Sequence, residues 1–154
     1  MGFAADLQKF RDKTVAKQHA LVREIVGQIS LSLITKSPVG DPALWATKYP
    51  PKNYRGGQFR GNWRLGVDGI DGTTSAADID PDGGATLDNI VGKIPNDAAY
   101  HSYYITNALP YAHRLEDGYS SQAPAGMVGL TIVEFKPIVE NAIRLVSLGK
   151  GGEI

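Results

Sequence analysis

The chain has 154 residues, with 16 basic and 16 acidic side chains, no cysteine and a formal net charge of zero. The lack of cysteine excludes disulfides, zinc–thiolate sites and a cysteine nucleophile, and the balanced charge argues against a main role in binding nucleic acid or an anionic membrane. No segment approaches the roughly 20 apolar residues of a membrane span, and the first residues lack the apolar run of a signal peptide, so we expect a soluble protein.

The first third of the chain predicts one long helix over residues 3–35. Apolar side chains recur there at spacings of three and four, which is the pattern of a helix with one buried stripe. Ser37-Pro38 should end the helix, because proline disfavours the helical conformation in the residue before it. The predicted stripe consists of Phe3, Leu7, Phe10, Leu21, Ile25, Ile29 and Leu33.

Glycine and proline punctuate the middle of the chain, which predicts long loops between a few short elements. Aromatic and β-branched residues favour strands, and short apolar periodicity favours helices. In order, we predict a loop insertion at 37–61, a strand at 62–67, an acidic glycine-rich loop at 68–84, a helix at 85–94, a strand at 100–109 and a helical turn at 111–117.

The last segment presents a choice between strand and helix. The run from Leu130 to Val133 favours a strand by propensity, and Pro137 argues against an unbroken helix. Helical spacing prevails, and we predict a helix over 128–147, kinked or restarted at Pro137, with Gly149 as its C-cap. The whole is expected to be one α+β domain, 1–154, with two long terminal helices packed on a small, mainly antiparallel sheet and with long loops. The residues with helical spacing are Val128, Ile132, Phe135, Val139, Ile143 and Val146.

The acidic loop contains the first half of a calcium-binding pattern. Asp78, Asp80 and Asp82 alternate before Gly83, as oxygen ligands do around a hard cation. The twelfth position of such a loop holds Asn89 where a bidentate glutamate is needed. We therefore favour an exposed acidic turn, with Asp82 near the start of the next helix, where negative charge is favourable.

A second candidate for chemistry is His113 with Glu116 and Asp117. A histidine and a glutamate three residues apart share a helix face, and the pair could bind a metal or relay a proton in a small metal-dependent hydrolase. No second histidine or acidic motif supports this interpretation, and the alternative is a surface turn anchored by Tyr111 and Leu115. Since nucleophile-elbow, phosphate-loop and dinucleotide patterns are also missing, we expect no enzyme and assign no catalytic, cofactor or metal residue.

The segment 45–64 alternates cations with aromatic rings. This mixture is typical of single-stranded nucleic-acid binding, and equally of protein interfaces, where aromatic residues and arginine are enriched. Zero net charge favours the interface, with a nucleic-acid-binding module as the alternative. The cations are Lys48, Lys52, Arg55, Arg60 and Arg64, and the rings are Trp45, Tyr49, Tyr54, Phe59 and Trp63.

Three parts of the chain resemble the neck or tail-completion family of long-tailed bacteriophages, which includes minor tail protein Z-like proteins. Their order is the same as in the family, although the insertion that holds residues 45–55 departs from its compact pattern. The matching parts are Ser37-Pro38-Val39 at the exit of the first helix, 57–63 (GQFRGNW), and the most specific one, 105–112 (ITNALPYA) with 115–120 (LEDGYS) and 122–128 (QAPAGMV).

The resemblance implies a non-enzymatic virion subunit, assembled in the host cytoplasm, in a six-fold or twelve-fold ring of identical copies at the neck. Its implied partners are a head-completion or connector protein and a tail terminator or tail tube protein, with genomic DNA only passing through the channel. Long loops on a rigid scaffold suit contacts to such neighbours. The expected interface residues are Trp45, Tyr49, Tyr54, Arg55, Tyr119, Gln122, Pro124 and Met127.

Overall fold

The computed structural model describes residues 2–44, 49 and 52–151. In this part of the chain, six helices and two strands form the regular structure, and long helices lie at both ends. They are α1 (Phe3–Lys36), α2 (Gln58–Gly61), β1 (Arg64–Val67), α3 (Gly84–Lys93), β2 (Tyr103–Thr106), α4 (Ala112–Glu116), α5 (Val128–Val133) and α6 (Phe135–Ser147), with short 3-10 turns at Pro42–Leu44 and Ala98–Tyr100. The predicted α+β architecture is confirmed.

Helix α1 runs unbroken for 34 residues and ends where Ser37 takes an extended conformation before Pro38. The predicted end, residue 35, is one residue short. The Ser37 hydroxyl donates to the Leu33 carbonyl at 2.7 Å and so occupies one of the carbonyls that the helix end leaves without an intrahelical partner. The proline and the serine therefore fix this end together.

The C-terminal segment is helical, as predicted, but the break falls at Glu134 rather than at Pro137. Pro137 has no N–H to donate to the Val133 carbonyl, and its ring would clash with that carbonyl in a continuous helix. The chain therefore restarts upstream, which places Pro137 third in α6, where an N–H has no intrahelical acceptor. Gly149 takes φ 71° after the helix, and Lys150 N–H bonds the Leu145 carbonyl at 2.9 Å, which confirms the predicted glycine stop.

Helix α6 packs antiparallel along the C-terminal half of α1, and α5 contacts the last two turns of α1. Polar contacts fix the register: the Ser32 and Thr131 hydroxyls are 2.9 Å apart, and Lys36 Nζ lies 2.6 Å from the Glu134 carboxylate. Further along, Asn141 donates to Gln28 at 3.2 Å. Continuing this register at 1.5 Å per residue, α6 ends roughly level with the middle of α1.

The two strands pair antiparallel, with Arg64 opposite Thr106 and Val67 opposite Tyr103. Both strands are shorter than predicted, because helix α2 precedes β1 and a 3-10 turn precedes β2. A two-stranded ribbon is marginal alone, and here β1 gains support from α3, with Leu65 only 2% exposed.

One apolar core joins the helices to the ribbon. Of the predicted α1 stripe, the core includes Leu33, with Ile29 packed against it. By contrast, Phe3, Leu7 and Phe10 are 79%, 51% and 71% exposed. The prediction that one stripe is buried along the whole helix is therefore wrong for the first three turns. None of the helices in the described part of the chain is long and apolar enough to cross a membrane. The buried apolar residues of this core are Val26, Leu33, Ile34, Phe59, Trp63, Leu65, Ile90, Ile94, Ala98, Leu109, Ala123 and Met127.

Candidate functional site

The end of α1 is tied to the segment after the long loop by two side chains. Arg60 donates to the backbone carbonyls of Ser37, Thr35 and Pro81 at 2.9, 3.1 and 2.7 Å. A cation is favourable at a helix C-terminus, where carbonyls have no intrahelical partner. Trp63 adds a buried bond from its indole N–H to the Ser37 hydroxyl at 2.8 Å.

A third segment meets the same place. The Asn107 amide donates to the Phe59 carbonyl at 2.8 Å. The Tyr111 ring lies 6.0 Å from the Phe59 ring, and the Phe59 and Trp63 rings meet edge-on at 5.9 Å. We call this group of contacts among 37–39, 57–63, 107–111 and Gln122 the loop-base cluster.

The loop-base cluster fixes both ends of the long loop, residues 40–56. Gly57 N–H donates to the Val39 carbonyl at 2.6 Å, and the Gln122 side chain accepts from Val39 N–H at 2.8 Å. Gly57 has φ 104°, and a Cβ there would lie 2.4 Å from the Pro81 nitrogen, so glycine is required. The loop therefore leaves the body and returns to it at one fixed point.

The predicted interface residues of this loop differ in exposure. Tyr49 is 91% exposed and Arg55 is exposed, as an interface residue must be. Tyr54 is half-buried beside Gly40, and burial raises the pKa of its phenol. Trp45 lies outside the described residues.

The second predicted interface loop, 119–127, is held by the Glu116 carboxylate. That carboxylate accepts the backbone N–H groups of Met127, Val128 and Gly129 at 2.8, 2.9 and 2.8 Å. Partial burial tends to raise the pKa of Glu116, but these three donors at the start of α5 hold it below its usual value. Glu116 thus closes the loop by joining α4 to α5.

The hydrolase interpretation gave Glu116 a different role beside His113. The structure uses both oxygens of that carboxylate for the backbone clamp, and within the described residues no group of three histidine, aspartate or glutamate side chains could hold a metal ion. Sequence spacing placed the two residues on one helical turn correctly, since α4 contains both. It did not reveal the backbone donors 11 to 13 residues away.

Within the 119–127 loop, exposure again divides the predicted residues. Tyr119 is 78% exposed and Pro124 is exposed. Met127 is 1% exposed in the core, so the prediction that it meets a neighbouring subunit is wrong. Gln122 bonds Val39 and so belongs to the loop-base cluster.

The acidic loop uses its carboxylates within the chain. Asp80 accepts the N–H groups of Gly83 and Thr86 at 3.0 and 2.7 Å and the Thr86 hydroxyl at 2.7 Å, so it caps α3. Asp82, which the sequence favoured for this role, lies two residues later. Asp78 pairs with Arg64 at 2.5 Å. These carboxylates line a cleft of about 570 Å³ between the loop and α3, and two of the three alternating aspartates are already engaged there.

Much of the aromatic-basic segment is internal. Phe59 and Trp63 are each 4% exposed, and Arg60 and Arg64 bond backbone carbonyls or Asp78. In the described part of 45–64, the exposed ring is that of Tyr49, and the exposed cations are Lys52 and Arg55. This leaves fewer stacking rings near cations than the sequence pattern indicated.

An ionic group that the sequence pattern did not predict lies at the end of the ribbon. The two ring nitrogens of His101 lie 2.6 Å from Asp68 and 3.1 Å from Asp97. The hydrogen bond with Asp68, and then that with Asp97, raises the pKa of His101. Asp68 also takes the left-handed conformation, at φ 57°, and bonds Ser102 N–H. The i, i+4 spacing of Asp97 and His101 was the one available signal.

Comparisons of this chain with protein-family models, with curated proteins and with solved structures find no match. Function is therefore inferred from the residues and their geometry.

Proposed function

We propose that this chain is a structural subunit of the neck of a tailed bacteriophage, part of a ring that joins the DNA-filled head to the tail. The observation that carries the proposal is the loop-base cluster. Three segments far apart in sequence, each similar to the neck and tail-completion family, meet there at one end of α1. Convergence of this kind is expected when the similar residues build a common framework.

The framework positions two exposed loops. The first, 40–56, presents Tyr49 and Arg55, and the second, 119–127, presents Tyr119 and Pro124. Both loops are fixed at their bases: the first by the bond between Gly57 and Val39, and the second by the bonds of Glu116 to the start of α5. Because of this, less conformational entropy is lost when the loops bind a partner. Exposed tyrosine and arginine on such loops are typical of protein interfaces.

A ring of identical subunits needs two different patches on each copy. The two loops and the helices give separate surfaces for neighbours within the ring and for the head and tail proteins on either side. A net charge of zero keeps identical copies from repelling one another. The proposed partners are therefore further copies of the chain, a connector or head-completion protein, and a tail terminator or tail tube protein.

The test is deletion of the gene from a phage that carries it, with electron microscopy of the lysate. Filled heads and separate tails support the proposal, and normal infectious particles refute it. Complementation with Tyr49→Ala/Tyr119→Ala should leave heads and tails unjoined while the purified variant stays folded. The matched control is Ile70→Ala, at a residue 70% exposed outside both loops, and it should restore infectivity.

The nucleic-acid alternative makes a different prediction. A DNA-binding module would show affinity for single strands that falls steeply as salt rises. A neck subunit should show no such affinity in filter binding across a salt series.

A further inference from the structure

The first half of α1 projects from the body. Residues 2–14 are all exposed, and the α6 register places the end of that helix well short of them. We call residues 3–17 the arm; at 1.5 Å per residue it is roughly 22 Å long. A helix of this length is marginal in water without packing.

The arm carries an apolar stripe on a defined face. At 100° per residue, Phe3, Leu7 and Phe10 lie within about 40° of Leu21 around the helix axis. Gln28 and Ser32 fall in the same sector, and these two residues contact α6 and α5. The arm stripe is therefore the continuation of the face that packs on α5 and α6, left uncovered beyond the end of α6.

A complementary apolar surface lies at the other end of the same helix. Around the α5–α6 break, Ile132, Val133 and Phe135 are 68%, 78% and 51% exposed. We call these three residues the shoulder. The shoulder flanks Glu134, which pairs with Lys36 in the last turn of α1. Since α1 is roughly 51 Å long, the arm and the shoulder of one copy are too far apart to meet each other.

The charges also differ in sign. The arm has four basic residues (Lys9, Arg11, Lys13 and Lys17) and two acidic ones (Asp6 and Asp12), an excess of two positive charges. Residues 128–140 have two acidic residues (Glu134 and Glu140) and one basic residue (Lys136), an excess of one negative charge. Opposite excess charge favours arm against shoulder over arm against arm.

From these observations we propose that the arm of one copy packs its Phe3–Leu7–Phe10 stripe on the shoulder of the next copy, head to tail. Two different patches at opposite ends of one rigid helix give a heterologous contact, which closes into a ring or extends as a filament. This inference rests on the proposed function only for the choice of a closed ring.

The contact should be weak between two free copies. The three arm side chains expose about 400 Å² in total, taking roughly 150–250 Å² for a whole aromatic side chain. A standard stable interface buries roughly 800 Å² on each partner. Closure of the ring, in which every copy makes two such contacts, supplies the stability that a single contact lacks.

The test uses the cysteine-free background of the chain. The Leu7→Cys/Val133→Cys variant is treated with a short bifunctional maleimide. The protein is at about millimolar concentration, because a weak contact forms only at high protein concentration. We expect a ladder of covalent oligomers beyond the dimer. The matched control is Asp12→Cys/Val133→Cys, because Asp12 lies about 180° from Phe3 on the arm; its yield should be about tenfold lower.

Three results would overturn the proposal. The first is that no ladder forms, and the second is that the Asp12 control gives an equal ladder. The third is that Leu7→Cys alone gives dimers as efficiently as the double variant, which would indicate arm-to-arm pairing. Phe3→Ala/Phe10→Ala in the cross-linking background should remove the ladder without unfolding the body, since both residues lie outside the core.

The proposed function and the arm-to-shoulder contact can be refuted independently of each other. If a phage lacking the gene joins heads to tails normally while the ladder forms, the neck assignment is wrong and the head-to-tail contact stands. If rings of this chain are seen at the neck and the ladder is missing, only the arm-to-shoulder contact is wrong.

Discussion

Replacing Glu116 by glutamine tests whether one carboxylate holds the 119–127 loop closed. One carboxylate oxygen accepts from Met127 and Val128, and the other accepts from Gly129. An amide keeps the shape of the side chain but has a single acceptor oxygen. Its NH₂ group must therefore face at least one backbone N–H, and the negative charge at the start of α5 is lost.

The expected cost follows from these contacts. Hydrogen bonds to charged groups contribute about 1.5–3 kcal/mol each when buried. Glu116 is half-buried and Val128 and Gly129 are exposed, so water replaces part of what is lost. We expect Glu116→Gln to lower the free energy of unfolding by about 2 kcal/mol at neutral pH. For a chain of this length, that corresponds to a fall in Tm of about 4–8 °C.

Urea denaturation of both proteins between about pH 3 and pH 7 gives the measurement and its sign. The folded-state pKa of Glu116 is lowered, so its contribution is fully present above the ordinary value of 4.5 and is lost as the pH falls through the folded-state pKa. The difference between wild type and Glu116→Gln should therefore shrink on acidification. Hydrogen exchange should also quicken among the amides of 127–129, because at least one of them loses its acceptor.

Glu140→Gln is the matched control. Its side chain is 64% exposed and its carboxylate lies 3.9 Å from Lys136, so the change should cost less than about 0.5 kcal/mol. The clamp is refuted if Glu116→Gln is as stable as this control at neutral pH, or if its deficit is independent of pH.

Three further changes test the other polar contacts. Asp80→Ala should lower the free energy of unfolding by about 1–2 kcal/mol in chemical denaturation, because it removes the α3 cap, whereas Asp82→Ala should be nearly neutral. Equal losses from the two variants would favour a calcium-binding loop instead. A heat of calcium binding that both variants abolish would favour the same conclusion. Trp63→Phe should cost about 2 kcal/mol by the same measurement, because it leaves the buried Ser37 hydroxyl without its indole donor; an unchanged urea midpoint would contradict this. The pKa of His101 is raised, so the stabilisation that His101 contributes should be full below about pH 6.5 and lost as the pH rises through its folded-state pKa. The urea midpoint of His101→Gln should lack this decline at higher pH. A decline of wild-type size in the variant would refute the role of His101.

The long helices were predictable because their signals are local. The spacing of apolar residues from Phe3 onward and the Ser37-Pro38 stop define α1 almost to the residue. In the C-terminal segment, helical spacing predicted the structure better than the β-branched run Leu130–Val133. The break position depended on a single backbone fact, the missing N–H of Pro137, and the expected position was three residues too late because a proline is tolerated inside the first turn.

The polar contacts were much less predictable, because each joins residues far apart in sequence. Arg60 was grouped with cations that contact a partner, yet it caps a helix that ended 24 residues earlier. Glu116 was paired with its neighbour His113, yet its donors lie in α5. Residue type and spacing indicate what a side chain can bond, and only the packing of distant segments decides which partner it reaches.

The arm shows the opposite relation between sequence and structure. Helical spacing predicted that Phe3, Leu7 and Phe10 are buried, and in the single chain they are exposed. The stripe nonetheless has the chemistry of a buried face, and it continues the face on which α5 and α6 pack. An apolar face that is correctly patterned but uncovered in one copy is what a subunit with an intermolecular core presents. The discrepancy between pattern and exposure is thus itself the strongest indication that a second copy completes the packing of α1.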